Sequence, residues 1–555
     1  MDKTWFQNYD PLNNAVFSTI IAAVPILVLL GSIAVFKIKI HFAALTGLAV
    51  AILIAVFVYQ MPTSAAAATT IYGGAYGLFP IGWIILNLIF LYQLTVNKGL
   101  FTIIRKHLAS IAPDPRVQVI LIAFSFGAFF EGAAGFGTPV AITAAILIQL
   151  GFRPLAACGL SLIANTAPVA FGALGTPIIA LSAVTGIDIH QLSAMVGRQL
   201  PFFSLIIPFW VVSAMAGFRG MLGIWPVALV AGLFFAIPQF LISNYHGPWL
   251  VDIVASISSI IAVVVLLRFW KPKTIWKLPG NSEPKPVSDI STKVKGRELV
   301  FAWMPWMLLA LFILVWGLPG VKKTLNGISA PEYQVAYLHH EVSRTPPIVP
   351  EPTLEKPTKP EEAIFKLNWL SATGSGIFIA AIIAGFAIGF SFRQMLRIYA
   401  QTLWRVRFSL ITIAAMLALG YVTKYSGTDA TLGLALAKTG VLYPFFGTLL
   451  GWLGVALTGS DTASNVLFGS LQTITAKQIN IDPGLMAAAN SSGGVMGKMV
   501  DAQSIVVAST ATNWYGHEGE ILRYVFFHSI ILAALVGILV FLQAHVAPFS
   551  HLVVK

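Results

Sequence analysis

The chain has 555 residues, of which 57% are hydrophobic and 10% are charged, and its formal net charge is +13. A soluble domain carries about 25% charged residues, so this composition excludes a soluble globular protein and indicates a polytopic membrane protein. The single cysteine, Cys158, excludes an internal disulfide and a cysteine-based metal cluster. We interpret the excess of Lys and Arg as the cytoplasmic-side bias of a membrane protein, not as a nucleic-acid-binding surface.

Apolar segments long enough to cross a bilayer, which takes about 20 residues, recur along the chain. A polar stretch, MDKTWFQNYDPLNN, precedes the first of them, which is long enough to span, so no cleavable signal peptide is expected. The predicted spans lie near residues 15–36, 41–60, 80–96, 155–186, 201–217, 221–242, 249–270, 299–318, 367–391, 408–424, 484–511 and 523–545. They predict an all-α polytopic membrane protein with about 12 transmembrane helices.

Two polar stretches separate some of the predicted spans. Residues 271–298 form a basic loop, and residues 319–366 form a loop that is rich in Pro and Glu. The composition of the second loop is typical of an extended surface segment, and it predicts little regular structure there.

Two further apolar stretches, 117–150 and 442–478, differ from the predicted spans. Each consists of two apolar runs of about 14 residues, which is short for a full crossing. A small polar knot separates the two runs: EGAAGFGTP at 131–139 in the first stretch and GSDTASN at 459–465 in the second. Both stretches are therefore predicted to be re-entrant hairpins whose tips are the polar knots.

The two hairpins belong to segments of similar organisation, 80–217 and 408–545. Each segment has a spanning helix, a short amphipathic arm, a hairpin and then a helix that begins at a proline and contains another knot. These second knots are LIANTAPVAFGALGTP and AANSSGGVMGKM, and the backbone is expected to unwind at NTAP in the first and at NSSGG in the second. We interpret the segments as one repeat used twice, preceded by the N-terminal transmembrane helices 1–79 and separated by the connecting helices 218–407.

The distribution of basic residues predicts the orientation of the repeats. Seven predicted full spans separate the starts of the repeats, and this odd number inverts the second repeat relative to the first. With the N-terminus outside, the loop 271–298 is cytoplasmic and the loop 319–366 is external. The other basic residues on the cytoplasmic side are then Lys37, Lys39, Lys98, Arg105, Lys106, Arg116, Arg153, Arg219, Arg393, Arg397, Arg405, Arg407 and Arg523. This orientation satisfies the positive-inside rule.

Inverted repeats with helices that break near mid-membrane are typical of secondary transporters. Non-helical backbone is tolerated in a bilayer only where protein or a water-filled cavity satisfies it. Free N–H groups and helix N-termini attract anions. The four knots are therefore predicted to be corners of one central anion site.

Five stretches of the sequence resemble the L-lactate permease family. They are EGAAGFGTPVAITAA, IANTAPVAFGALGTPI, GRQLPF, GWLGVALTGSDTASN and SSGGVMGKMVDAQSI. The resemblance extends over essentially the whole chain, from QNYDP to the last span. It implies a non-enzymatic carrier in a bacterial-type inner membrane that imports L-lactate and related 2-hydroxymonocarboxylates, such as D-lactate and glycolate, together with protons. It also implies inverted repeats with two hairpins.

Two carboxylates at the hairpin tips are candidates for proton coupling, Glu131 and Asp461. A lone carboxylate is expensive to bury in a membrane, so each is expected to take up a proton. The alternative for Glu131 is a structural carboxylate that accepts N–H bonds. The alternative for Asp461 is an N-cap of the returning half-helix.

The carboxylate and the hydroxyl group of a 2-hydroxy acid both need partners, and the knots supply cationic, hydroxyl, amide and backbone groups. The candidate substrate-binding residues are Gly135, Gly137, Thr138, Asn165, Thr166, Ser460, Thr462, Ser464, Asn465, Asn490, Ser491, Ser492 and Lys498. Lys498 has a second interpretation, because Asp501 follows it at i+3 and the two side chains can form a structural ion pair.

Other functions fit the sequence less well. Neither HExxH nor GxSxG occurs, and HHEV at 339–342 lies in a polar loop, so an intramembrane enzyme is not expected. A sodium-coupled carboxylate transporter remains the main alternative, since unwound carbonyls can hold Na⁺; an anion channel is the other. The expected partners are a small monocarboxylate, protons and the lipid bilayer, with no cofactor, metal or nucleic acid. The sequence does not predict the oligomeric state.

Overall fold

The computed structural model describes residues 4–554 except 35, 37, 101, 105–110, 134, 136–137, 279–295, 350–359 and 515–516. Helices dominate this part of the chain. In chain order they are α1 (Ala15–Ala34), α2 (Ile40–Phe57), α3 (Thr63–Tyr76), α4 (Trp83–Asn97), α5 (Pro115–Val119), α6 (Gly127–Ala133), α7 (Thr138–Gln149), α8 (Pro154–Ala164), α9 (Gly172–Thr185), α10 (Ile189–Val196), α11 (Leu200–Leu222), α12 (Trp225–Tyr245), α13 (Val251–Phe269), α14 (Gly296–Gly317), α15 (Pro319–Ile328), α16 (Thr373–Ala387), α17 (Phe392–Ser426), α18 (Thr428–Leu436), α19 (Tyr443–Thr458), α20 (Asp461–Gln478), α21 (Pro483–Gly497), α22 (Ala502–Ala511) and α23 (Glu518–His545).

Short irregular helices complete these elements. Two π-helical segments, Gly77–Gly82 and Ile120–Phe126, join α3 to α4 and α5 to α6. Three 3₁₀ segments are present at Val169–Phe171, Ala437–Leu442 and Phe549–Leu552.

The helices confirm the predicted class of an all-α polytopic membrane protein. Among the described residues, nine helical segments are long and apolar enough to cross a bilayer. A tenth candidate is a bent pair, in which α8 meets the segment Val169–Thr185 at 64°. Twelve spans with two re-entrant hairpins stay a prediction, because length and apolar composition do not distinguish a crossing from a re-entrant segment.

The two stretches predicted to be hairpins form helical pairs. In the first stretch the segment Pro115–Ala133 is followed by α7, and in the second α19 is followed by α20. Protein buries 94% of the most apolar window of Pro115–Ala133, against 61% or less in the other eight segments. This segment therefore presents almost no surface to lipid.

The helix that begins at Pro154 breaks where the sequence predicts. It is interrupted after Ala164, and Ala173, Leu174 and Gly175 take left-handed φ values of 44°, 56° and 76°. Left-handed backbone is costly for residues with a side chain, so the fold must hold Ala173 and Leu174 in place. Backbone N–H groups are consequently free of the regular helical pattern here.

The second break lies one turn later than expected. The prediction placed it at the NSSGG stretch, but residues 490–494 are inside the regular helix α21, which ends at Gly497. The interruption before α22 falls on Lys498–Asp501. The prediction was wrong because the glycines of this stretch serve close helix packing, not backbone unwinding.

The loop 319–366 is also more ordered than its composition predicts. It contains α15 and three short strands, β2 (Glu332–Gln334), β3 (Val342–Ser343) and β4 (Ile364–Lys366). Strand β2 pairs with β4 in an antiparallel register. Strand β3 pairs in parallel with β1 (Trp5–Phe6), so the N-terminal segment holds this loop against the protein. The polar composition did not reveal the pairing of β3 with β1, because these two strands are more than 330 residues apart in the sequence.

The segments that connect the helices contact each other in two groups, one at each end of the helices. In one group, Gln7 donates hydrogen bonds to the carbonyl oxygens of Lys424 and Tyr425, and Thr345 donates to the Gln7 carbonyl. In the other, Arg116 forms a 2.7 Å ion pair with Asp114 and donates to the carbonyl oxygens of Gly220 and Thr274. Segments that the charge count places on one face of the membrane thus contact each other. Which face is cytoplasmic stays a prediction.

Glycines on facing sides of α19 and α21 allow the two helices to approach closely. Gly447 and Gly451 on α19, and Gly493 and Gly497 on α21, have the i, i+4 spacing that lets membrane helices pack backbone against backbone. A Cβ on Gly493 would overlap the Thr448 carbonyl oxygen. This packing positions the second pair of polar segments.

Replacement of one of these glycines should destabilise the protein. Gly493→Ala forces the backbones of α19 and α21 apart, and we expect a loss of about 1–3 kcal/mol, as for overpacking in a core. The matched control is Gly31→Ala on α1, where an added Cβ meets nothing within 4 Å. Thermal unfolding in detergent is the measurement. Equal melting temperatures for the two variants would contradict the packing role.

The orientation in the membrane is tested by cysteine labelling. In a Cys158→Ala background, an impermeant maleimide should label Lys323→Cys in intact cells, because this exposed position lies in the predicted external loop. Lys273→Cys, in the predicted cytoplasmic loop and also exposed, should react only after lysis. Labelling of position 273 before lysis would overturn the predicted topology and the inversion of the repeats.

Candidate functional site

The polar knots of the two repeats meet at one cavity of about 280 Å³. Both hairpin tips, the break between α8 and α9, and the break after α21 contribute to its walls. The lining residues are His41, Glu131, Gly135, Val169, Gly172, Ala173, Thr176, Pro177, Phe408, Ser409, Thr412, Ile413, Met416, Leu417, Gly459, Ser460, Asp461, Thr462, Ala463 and Lys498. Segments more than 300 residues apart in the sequence therefore form one site.

Glu131 is the carboxylate of the first tip, and the broken helix beside it holds one of its oxygens. It lies in α6 and is 4% exposed. Its Oε2 accepts a hydrogen bond of 3.1 Å from Asn165 Nδ2, at the end of α8. Its Oε1 lies against Gly172, where an added Cβ would come within 2.5 Å of the oxygen. Gly172 thus leaves the space that the carboxylate occupies.

Asp461 has an equivalent arrangement in the second tip. It is the first residue of α20 and is 3% exposed. Its Oδ2 accepts hydrogen bonds from Ser491 Oγ at 2.5 Å and Asn465 Nδ2 at 3.4 Å. Its Oδ1 has no hydrogen-bond partner among the described residues, and it lies 2.5 Å from where a Cβ on Gly494 would be. In each tip, therefore, a polar side chain of the neighbouring helical segment donates a hydrogen bond to one carboxylate oxygen. A glycine of the same segment leaves space for the other oxygen.

The N-cap of α20 is Ser460, not Asp461. The Ser460 side chain accepts a hydrogen bond of 3.2 Å from the Ala463 N–H. Asp461 is consequently not needed as the cap, which answers the alternative raised by the sequence. The first N–H groups of a helix have no partner within it, and those of Asp461 and Thr462 belong to residues that line the cavity.

Lys498 is the one Lys or Arg among the described residues of the cavity wall. Its Nζ donates a 2.6 Å hydrogen bond to the Gly459 carbonyl oxygen and lies 3.3 Å from Asp501 Oδ2. The predicted i, i+3 ion pair is therefore present, and the same ammonium group faces the cavity. Lys498 is 5% exposed, so water screens its charge only weakly.

The cavity wall also includes residues of α2 and α17. Ser409 and Thr412 of α17 add hydroxyl groups. The ring of His41, in the first turn of α2, stacks on Phe408 at 4.6 Å between ring centroids. These residues line the part of the cavity that is nearest to the start of α2.

The candidate residues from the sequence separate into three groups. Glu131, Gly135, Ser460, Asp461, Thr462 and Lys498 line the cavity. A second group lies behind the wall and is made of Asn165, Thr166, Ser464, Asn465, Asn490, Ser491 and Ser492, all buried. The third group consists of Gly137, which lies outside the described residues, and Thr138, whose side chain is not described.

The residues behind the wall form hydrogen bonds that hold the tips. Asn490 Nδ2 donates to Asn465 Oδ1 at 3.0 Å, and Asn465 Nδ2 donates to the Pro177 carbonyl oxygen at 3.2 Å. This chain of bonds connects α21, the second hairpin and the first helix break. Thr166 donates only to the carbonyl oxygen of Ile163 in its own helix. The Ser492 hydroxyl has no partner among the described residues.

Sequence reasoning did not single out several residues of the wall. Thr176 belongs to the GTP at 175–177, which repeats the GTP at 137–139 of the first tip. The repeated GTP could have identified Thr176 as a candidate site residue from the sequence alone. His41, Ser409 and Thr412 lie in ordinary apolar spans, and their sequence context carries no comparable signal.

Known permeases are similar in sequence to this chain over almost its full length. A sequence model described as L-lactate permease matches residues 18–547. The chain is 46% identical to the glycolate permease GlcA of Escherichia coli strain K12, over 98% of both chains. It is 44% identical to the L-lactate permease of Bacillus subtilis strain 168, over 98% of this chain and 99% of that one.

Among solved structures, the chain is similar to MtrF of Neisseria gonorrhoeae, described as representing a class of antimetabolite efflux pumps. The TM-score is 0.45 at 14% identity, covering 87% of this chain and 83% of that one. We base no argument on so distant a likeness. The match to the family over nearly the full length is decisive: this chain is a multi-pass membrane transporter that belongs to the L-lactate permease family.

Proposed function

We propose that this protein is a secondary active transporter that imports L-lactate and related 2-hydroxymonocarboxylates, including D-lactate and glycolate, by proton symport across the cell membrane. The observation that carries the proposal is the cavity that joins both hairpin tips and both helix breaks. It combines one ammonium group, two buried carboxylates and several hydroxyl groups. The full-length relatives named for lactate and glycolate support the substrate class.

The substrate carboxylate is assigned to Lys498 and the start of α20. A charge-assisted hydrogen bond to Lys498 Nζ is stronger than a neutral one. The N–H groups of Asp461 and Thr462 lie at the positive end of the α20 dipole, where an anion is favoured. The two features act on the same wall of the cavity, since Lys498 contacts the Gly459 carbonyl immediately before this helix.

Hydroxyl groups on the facing walls are assigned to the 2-hydroxyl of the substrate. Thr176 lines the cavity from the first repeat, and Ser409 and Thr412 line it from α17. A site that hydrogen-bonds a substrate hydroxyl discriminates strongly against an analogue that lacks one. We therefore assign the preference for 2-hydroxy acids over simple monocarboxylates to these groups.

The charges in the cavity supply a reason for proton coupling. With Glu131 and Asp461 both ionised and Asp501 paired with Lys498, the site carries a net negative charge and repels a substrate anion. Protonation of either tip carboxylate removes part of this repulsion. Proton and anion therefore favour each other's binding, and the coupling is reciprocal.

Uptake into proteoliposomes tests the proposal directly. We expect labelled L-lactate and glycolate to accumulate when an inward proton gradient is imposed and not when a sodium gradient is imposed. Glu131→Gln fixes the neutral form of the carboxylate, so it should retain lactate exchange but lose accumulation driven by the proton gradient. The control is Glu332→Gln, an exposed residue of β2 far from the cavity.

Other results of this experiment would identify a different function or a different coupling residue. Accumulation driven by sodium would identify a sodium-coupled carrier. Flux that does not saturate with substrate concentration would identify a channel. Full proton-driven accumulation in Glu131→Gln would exclude Glu131 as the coupling residue and leave Asp461.

Removal of the Lys498 charge should weaken substrate binding. In Lys498→Gln the anion loses its ammonium partner, and Asp501 is left as an unpaired negative charge. We expect lactate affinity to fall at least about tenfold, which is about 1.4 kcal/mol. Calorimetry on monodisperse protein measures it. The control is Lys477→Gln at the exposed end of α20. Unchanged affinity in Lys498→Gln would remove Lys498 from the anion site.

A further inference from the structure

A further buried carboxylate, Asp252, lies close to the site but is not part of the cavity wall. It is the second residue of α13 and is 1% exposed, and neither of its oxygens has a hydrogen-bond partner among the described residues. A buried carboxylate without a donor or a cation is strongly disfavoured in its charged form. No group of three or more His, Cys, Asp and Glu side chains that suits a metal ion is present in the described part of the chain. A proton would neutralise a carboxylate in this position without any further partner.

Asp252 packs directly against the first hairpin tip. A Cβ added to Gly132 would lie 2.7 Å from the Asp252 Cβ, and Gly132 is the next residue after Glu131. Since consecutive Cα atoms are 3.8 Å apart, the Asp252 Cβ lies within about 8 Å of the Glu131 Cα. In this buried environment a negative charge on one of the two carboxylates disfavours ionisation of the other.

Few other charges face Asp252. The elements packed against α13 are α6, α9, α12 and the segment Ile120–Phe126, and among them only α6 carries a charged side chain, which is Glu131. Lys498 and Asp501 act on the charge of Glu131. In α13 itself, Arg268 is at the far end of the helix.

The polar groups nearest to Asp252 along the chain surround Trp249. Lys322 Nζ lies 4.3 Å from the centroid of the Trp249 ring, and the rings of His190 and His246 lie at 5.7 Å and 6.1 Å. Both ring nitrogens of His246 are buried without a partner among the described residues. His246 directly follows α12 and Trp249 lies just before α13, so this cluster lies where α12 ends and α13 begins.

The order of the helices places the start of α13, and with it Asp252, at the face opposite the start of α2. The cavity extends toward His41 at the start of α2. Counting the chain crossings from α2, α13 begins at the opposite face, whether the stretch 115–149 re-enters or crosses twice. Pro248, in the loop before α13, packs against Gly175 at the first helix break. Asp252 thus lies between Glu131 and the face at which α13 begins.

We propose that Asp252 is a second proton-binding residue of the transport cycle, which exchanges a proton with Glu131 and connects it to the face at which α13 begins. The inference rests on proton symport as the proposed function. In this step the O–H bond of the Asp252 carboxylic acid breaks, a water molecule relays the proton, and an O–H bond forms on the Glu131 carboxylate, because the two carboxyl groups are not hydrogen-bonded to each other in this structure. The pair keeps its total charge, and only the position of the proton changes.

The test compares Asp252→Asn with Glu131→Gln in proteoliposomes. Lactate exchange without a gradient and lactate accumulation under a proton gradient are measured on the same preparations. We expect Asp252→Asn to keep exchange within about twofold of the native protein and to lose accumulation at least tenfold. The matched control is Ser256→Ala, one turn further along α13, whose hydroxyl is buried and donates to the backbone of its own helix. It should behave like the native protein in both assays.

The results separate this inference from the proposed function. If the native protein shows no accumulation under a proton gradient, proton symport fails, and the inference fails with it. If the native protein accumulates lactate and Asp252→Asn does so equally well, only the role of Asp252 is overturned. Loss of exchange as well as accumulation in a monodisperse Asp252→Asn protein would identify a structural role and overturn the proposal.

A second variant decides the question if Asp252→Asn is not monodisperse. Asp252→Glu keeps a titratable carboxyl group but moves it by one methylene, so the pH dependence of proton-driven uptake should shift while exchange persists. A pH profile identical to that of the native protein would overturn the proposal.

Discussion

A carboxylate that leaves water for the interior of a membrane protein must be compensated by the protein, by an ion or by a proton. The two hairpin tips meet this constraint in the same partial way. Each tip carboxylate accepts a hydrogen bond from a helix of its own half of the chain, from Asn165 to Glu131 and from Ser491 to Asp461. In each case the other oxygen lies beside a glycine, Gly172 or Gly494. Partial compensation leaves room for a proton to bind and to be released.

Much of the surrounding structure serves to keep the tips in place. The close approach of α19 and α21 depends on their facing glycines, and it brings Ser491 to Asp461. The chain of hydrogen bonds through Asn490 and Asn465 then reaches the Pro177 carbonyl of the first break. The amide oxygen and nitrogen of both Asn490 and Asn465 are hydrogen-bonded, and buried bonds of this kind restrict the geometry of the groups that they join. The site is therefore supported from behind by residues that do not themselves line the cavity.

The cavity is electrically unbalanced, and this imbalance connects its structure to proposed symport. One ammonium group faces three carboxylates, if the partner of Lys498 is included. In the proposed symport, protonation of a tip carboxylate reduces the repulsion that a substrate anion meets in this site. Asp252, beside the first tip but with no counterpart described at the second, makes the two halves chemically different. An asymmetry of this kind is consistent with proton access from one face and substrate access from the other.

The sequence by itself determined the class of the protein and identified six of the residues that line the cavity. Its low charge content excluded a soluble fold, and the knots around Glu131, Asp461 and Lys498 stood out because polar residues and glycines are rare within membrane segments. The short lengths of the apolar runs also located the paired helices near 115–149 and 443–478. These are local signals, and they need no knowledge of which segments touch.

Only the tertiary structure decided the features that depend on contacts between distant segments. It placed the second break at Lys498–Asp501 and kept NSSGG helical, because Gly493 and Gly497 pack against α19. It ordered the loop 319–366 through pairing with the N-terminal strand. It also added His41, Ser409 and Thr412 to the wall and brought Asp252 to Glu131. A Ser, Thr or Asp in a span looks the same in the sequence whether it faces a cavity, a neighbouring helix or its own backbone, and only packing distinguishes these surroundings.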